Sequence, residues 1–154
     1  MAFIPYSQIV QKFQDACTAH DYIQSFAHGT LDYLDASSQN VVYPYIFLRP
    51  LSSPGYDQDT KLRTLLFELY ALDVPKLSNE SPVDVMSRME TLIYDMGSYF
   101  NWGPPSDNQA IGYSYDIQSI TPVNEAFNDR AYGFVANVNV ETLGLYNYCS
   151  YPSS

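Results

Sequence analysis

The stretch from Ser81 to Glu141 constrains this chain most. A strongly signalled amphipathic helix there leads into two alternating segments joined by a polar connector, Thr121 to Arg130. A helix followed by a strand pair buries its apolar stripe by lying on the sheet that the pair belongs to. Ser81 caps the helix, Pro82 takes the first helical position, and Asp84 sits in the first turn, where a carboxylate meets the positive end of the helix dipole. Val85, Met86, Met89, Leu92, Ile93, Met96 and Tyr99 or Phe100 form its apolar stripe. Asn101-Trp102-Gly103-Pro104-Pro105 ends it. Ile111 to Ile120 and Tyr132 to Glu141 read as strands. In the second, Phe134, Ala136, Val138 and Val140 share one face and Val135, Asn137, Asn139 and Glu141 the other, the pattern of a half-buried antiparallel strand.

The first half carries weaker signals. Ser7 is the expected N-cap of a helix running to about His20, with Ile9, Phe13, Ala16, Cys17 and His20 on its apolar face. Lys12, Gln14, Asp15 and Thr18 fall mostly on the other side. Asp21 to Asn40 predicts short extended or single-turn pieces, with Gly29 at a turn and Ser37 to Asn40 a loop. Val41 to Arg49 is rich in β-branched and aromatic residues and reads as a strand. Pro44 cannot donate to a ladder, so it predicts an edge or a bulge there. Pro50 to Asp59 reads as a flexible hairpin loop. Thr60 to Val74 fits helix and strand patterns alike. Its position after a strand and a hairpin-length loop favours a long strand, ended by Pro75.

The expected fold is therefore α+β, in the order α-β-β-α-β-β, with helices packed on an antiparallel sheet. At 154 residues the chain reads as a single domain, 1–154. The segment from about 142 is a short edge strand or an extended arm.

Composition narrows the function classes. Acids outnumber bases 17 to 7, for a net charge of −10. That opposes nucleic-acid binding, which sets Lys and Arg against phosphates and releases counterions. A nearly base-free surface suits a place where DNA passes without sticking, and it equally serves solubility. Tyr is abundant, at 15 residues. Tyrosine is enriched where proteins meet proteins, and it also edges small sheets. Cys17 and Cys149 form no CxxC motif; a single bridge is open to them, and two free buried thiols are the simpler reading. The N-terminal MAFIPYSQIV has no basic region followed by a long apolar core, so no secretory signal is expected. No apolar run approaches a membrane span.

No catalytic constellation emerges. His20 and His28 lack clustered co-ligands and read as surface or capping residues, so no metal site is expected. GxSxG, GxxxxGK[ST], HExxH and EF-hand patterns are all missing from the sequence. Asp32/Asp35 and Asp57/Asp59 fit solvated loops better than a glycosidase pair. Trp102 is a helix-end plug or a sugar-stacking ring, the former being the simpler reading. In the connector, Phe127 stands beside Glu125, Asp129 and Arg130. An aromatic with flanking charges suits a contact site, and Phe127 folded back on the sheet is the alternative. Phe127, Asp129 and Arg130 are the candidate subunit-contact residues.

Two regions carry a resemblance. One is His20-Asp21-Tyr22-Ile23-Gln24-Ser25-Phe26-Ala27-His28-Gly29, followed by Tyr43-Pro44. The other begins at Leu92-Ile93-Tyr94-Asp95-Met96 and continues through a strand to Thr121-Pro122, Phe127 and Asp129 and a last alternating strand. Together with the element order, they resemble the tail terminators of tailed bacteriophages, virion proteins of the neck and tail end. The resemblance spans most of the chain through loose motifs. It implies a structural role without catalytic or cofactor-binding residues. Six copies would form a ring that caps the tail tube and meets the head-completion proteins, around a channel through which DNA passes without specific binding. Neighbouring sheets would meet around the ring, and loops such as Pro50 to Asp59 would touch tube or neck. The protein would be made in the host bacterial cytoplasm and end in the virion, with no membrane partner. The other reading is a small tyrosine-rich binding module for a protein or a glycan, and a hydrolase using scattered Asp and His residues is a distant third.

Overall fold

A computed structural model of the chain describes residues 5–30, 41–51, 55–57, 59, 62–75, 80–102, 113–126 and 130–143. In chain order the elements are α1 (Tyr6–Ala19), β1 (Ser25–His28), β2 (Tyr45–Pro50), β3 (Gly55–Tyr56), β4 (Leu62–Asp73), α2 (Pro82–Trp102), β5 (Tyr113–Ala126) and β6 (Ala131–Leu143).

Helix α2 starts as its sequence dictates. The Asp84 N–H donates to the Ser81 hydroxyl oxygen at 3.2 Å, and the Ser81 N–H donates in return to the Asp84 carboxylate at 3.4 Å. This reciprocal pair satisfies donors that the first turn leaves without helical partners. Val85, Met89, Leu92, Ile93, Met96 and Phe100 are buried, whereas Met86 and Tyr99 are half-buried. Helix α1 starts differently from expectation. Pro5, not Ser7, holds the cap position, with extended backbone and no side-chain cap. The Pro5 carbonyl accepts from the N–H groups of Gln8 and Ile9, so Ser7 is left inside the first turn. Lys12 is also a correction, because it is buried. Its stem lies along the core and its ammonium sits 4.8 Å from the Tyr99 ring centroid, which a long aliphatic stem with a cationic head allows.

Among the described residues the sheet has six strands in the order β1-β2-β4-β6-β5, with β3 also on β4. Strand β1 pairs in parallel with β2, and the other pairings are antiparallel. The α+β class with helices on a sheet holds. The expected six-element order gains two short strands, β1 and β3, and the sheet is mixed at β1. Strand β3 turns the expected Pro50–Asp59 loop back onto β4 through Gly55↔Thr64 and Tyr56↔Arg63. Strand β2 starts at Tyr45 and lies inside the sheet between β1 and β4. Pro44 therefore stands just before the ladder rather than on an edge, and its carbonyl accepts from Gln24 N–H at 3.0 Å.

The connector Thr121–Arg130 is the largest correction. Strand β5 continues through Ala126, and Ala126 pairs with Ala131. Register shifts at Ile117/Ser119 and Val123/Ala126 keep the ladder going around Pro122. An edge strand tolerates both proline and bulges, because its outer N–H groups have no ladder partner to lose. Strand β6 likewise runs through Thr142 and Leu143, where an arm was one expectation.

Both helices cover one face. Leu65, Phe67, Leu69 and Ala71 of β4 and Ala136, Val138 and Val140 of β6 pack with the apolar faces of α1 and α2 in one buried cluster. Phe13 is the meeting point, 4.5 Å from Phe100 and 5.3 Å from Phe67 between ring centroids. Full burial of a ring of this size contributes about 1.5–3 kcal/mol. On the other face Tyr45 and Phe47 form a second cluster with Tyr43 and Tyr70. Among the described residues, no helix is long and apolar enough to cross a membrane. The expectations for residues 31–40, Gly103 to Pro105, Cys149 and the chain beyond Leu143 lie outside the described residues.

Candidate functional site

Of the candidate contact residues, Phe127 and Asp129 lie outside the described residues. Arg130 is described, and it is exposed where the chain enters β6. Its φ of 53° places it in the left-handed region, which costs a non-glycine residue roughly 1–2 kcal/mol.

The bases show how the surface charge is arranged. Lys12 rests on Tyr99. Arg49, directly opposite Glu68 in the β2–β4 register, bonds its carboxylate at 2.7 Å, and the Tyr70 hydroxyl donates to the same carboxylate at 3.2 Å. Arg88 binds Glu80 and reaches Asp73 at 3.4 Å. Arg63 is buried, and desolvation holds its guanidinium below the ordinary arginine range. Arg130 is exposed and makes no ion pair among the described residues. The helix-free face of β4, β5 and β6 carries Thr64, Glu68, Ser114, Asp116, Asn137, Asn139 and Glu141. The Asn139 amide oxygen is buried there with no hydrogen-bond partner among the described residues.

A cleft of about 770 Å³ lies between the end of α1, the flank of α2 and one end of the sheet. Ala19, Pro44, Met89 and Leu92 supply apolar walls, and Asp21, Asp73, Glu80, Asp95, Arg88 and His20 supply charge. His20 is the C-cap of α1. Its Nε2 lies 2.8 Å from the Asp95 carboxylate, while Nδ1 accepts the Tyr22 N–H at 3.2 Å. With both ring nitrogens engaged, the imidazole is a clip between α1 and α2 rather than a waiting general base. The Asp73 side chain is 0% exposed, and its Oδ1 accepts the Val74 N–H at 2.8 Å.

His28 sits apart from this cleft. The Tyr6 hydroxyl and His28 Nε2 are 2.8 Å apart, and burial lowers the imidazole pKa. The Cys17 thiol is buried and pushed up to about 12, which removes it as a nucleophile. Among the described residues, no group of three or more His, Cys, Asp and Glu is placed to hold a metal ion. Sequence reasoning missed the cleft entirely. His20 and Asp95 meet across distant segments, as do Asp73, Glu80 and Arg88, and no local spacing signals either meeting.

The chain matches no protein-family model and no curated protein.

Proposed function

We propose that this chain is a structural virion protein of a tailed bacteriophage, a tail terminator or neck ring subunit. Six copies form a ring that joins the tail tube to the head-completion proteins, and DNA passes through its lumen. The subunit works by shape and self-association, without a cofactor or a chemical step. Synthesis takes place in the host bacterial cytoplasm.

The observation that carries this reading is the engagement of positive charge. Of the five described bases in a chain of net charge −10, Lys12, Arg49 and Arg88 are held by partners within the fold, Arg63 is buried, and Arg130 is exposed. Phosphate binding draws on accessible Lys and Arg, so such a surface lets DNA slide past. The helix-free sheet face, with its acids and amides, suits a lumen wall. The resemblance of the two sequence regions to tail terminators supplies the rest.

A second reading, a binding module for a protein or glycan partner, is favoured by one feature. Tyr22 lines the cleft and is 67% exposed, as a stacking or anchoring ring would be.

Native mass measurement from low to high concentration tests the first reading. A discrete species at six times the 17.5 kDa chain mass is expected. A strict monomer that also fails to bind isolated tail tubes would sink the ring and leave the binding module.

A further inference from the structure

We propose that the cleft is a docking site for a basic, amphipathic segment of a different protein chain, seating one Arg or Lys side chain of that segment. This deepens the reading of the chain as an assembly subunit and rests on it.

Shape and chemistry within the cleft agree on such an occupant. Its volume, about 770 Å³, lies within the about 300–1,000 Å³ usual for binding clefts. Met89, Leu92, Pro44 and Ala19 offer apolar wall to an aliphatic stem. Among the described residues the lining holds four carboxylates, those of Asp21, Asp73, Glu80 and Asp95, against the Arg88 guanidinium and the His20 imidazole that pairs with Asp95. Arg88 lies against Glu80 and only 3.4 Å from Asp73, whose side chain is fully buried. At the rim, Tyr22 is 67% exposed. Exposed aromatic rings beside a concave surface are the anchors protein partners use.

The charge balance favours a different chain over a second copy of this one as the occupant. This chain's described bases are engaged or buried apart from Arg130, and Arg130 has Asp129 and Glu125 as near neighbours in sequence. A chain of net charge −10 offers an acidic cleft little to hold.

The test uses a short fluorescent peptide of alternating arginine and leucine, titrated against the full chain at near-physiological salt and followed by anisotropy. The Glu80→Gln, Asp95→Asn double variant should weaken binding by about tenfold, the scale of losing close charge partners at an interface. Tyr22→Ala, at an exposed position that leaves the fold intact, should weaken it several-fold. The Asp116→Asn, Glu141→Gln double variant removes the same charge from the helix-free sheet face and should bind like the unaltered chain. Equal loss in both double variants, or an unaltered response to Tyr22→Ala, overturns the proposal in favour of diffuse attraction to an acidic protein. Native mass of the same samples separates the two readings. A six-fold species that binds the peptide no better through the cleft sinks the docking site alone. A monomer that binds it through the cleft and also fails to bind isolated tail tubes sinks the ring and keeps the site.

Discussion

The Tyr115 hydroxyl of β5 donates to the Ile93 carbonyl of α2 at 3.1 Å, and its ring lies directly on Gly97. That one tyrosine joins the last hairpin to the long helix, with Phe100 and Phe13 packed around its ring. A methyl group at Gly97 would stand 2.8 Å from the Tyr115 ring. Gly97→Ala should therefore destabilise by about 1–3 kcal/mol, as overpacking of a rigid core does. Tyr115→Phe keeps the ring and orphans the Ile93 acceptor less severely, at about 1 kcal/mol. Urea unfolding of both variants checks the order; equal stability of Gly97→Ala and the unaltered chain would contradict this packing.

Gly133 holds the centre of the sheet together. A methyl group there would lie 1.8 Å from the Ala71 carbonyl oxygen on β4. That atom is backbone in a paired strand and cannot step aside without opening the β4–β6 ladder. Gly133→Ala should cost more than Gly97→Ala, at least about 3 kcal/mol. Circular dichroism and thermal unfolding should show a chain that is largely unfolded or has a much lower Tm. A mild shift would mean the two strands are further apart.

The Asp73 carboxylate is fully buried, whereas Arg88 is partly exposed. Removing the guanidinium leaves a buried charge, while removing the charge leaves a neutral amide that still accepts the Val74 N–H. Arg88→Met should therefore cost more than Asp73→Asn, about 2–3 kcal/mol against about 1 kcal/mol. A double-mutant cycle in urea reads the coupling. The opposite order would show that the pair contributes nothing to the fold.

Burial lowers the His28 pKa from its ordinary 6.5. The unfolded chain then takes up the proton more readily than the folded one. The stability from neutral His28 is present above pH 6.5 and is lost as pH falls through the lower folded value. His28→Gln should flatten the stability profile between pH 6.5 and that lower value relative to the unaltered chain. Parallel profiles down to pH 5 in the two proteins would rule out a contribution from His28.

Legibility varied with the length of the signal. Helix α2 and strand β6 are long, and each repeats its period enough times to be read from residue order, whereas β4 fits both periods and is placed by its position after a strand and a hairpin-length loop. Strands β1 and β3, with four and two residues, are too short to carry a period and exist because β2 and β4 offer them a ladder. The extension of β5 through Pro122 was hidden because proline argues against a strand, and only its edge position with two bulges permits one. Lys12 looked solvent-facing because its charge is read before its stem, and the Tyr99 ring that receives it comes from another helix.

Capping at Ser81, the apolar stripe of α2 and the alternation of β6 are local, so backbone geometry and side-chain period dictate them wherever the chain folds. The excess of acids over bases is equally a property of composition. The cleft, the His20–Asp95 clip, the Arg88–Asp73 contact and the engagement of the bases are not. Each brings together residues from separate segments, and such meetings exist only once sheet order and helix packing have brought those segments side by side.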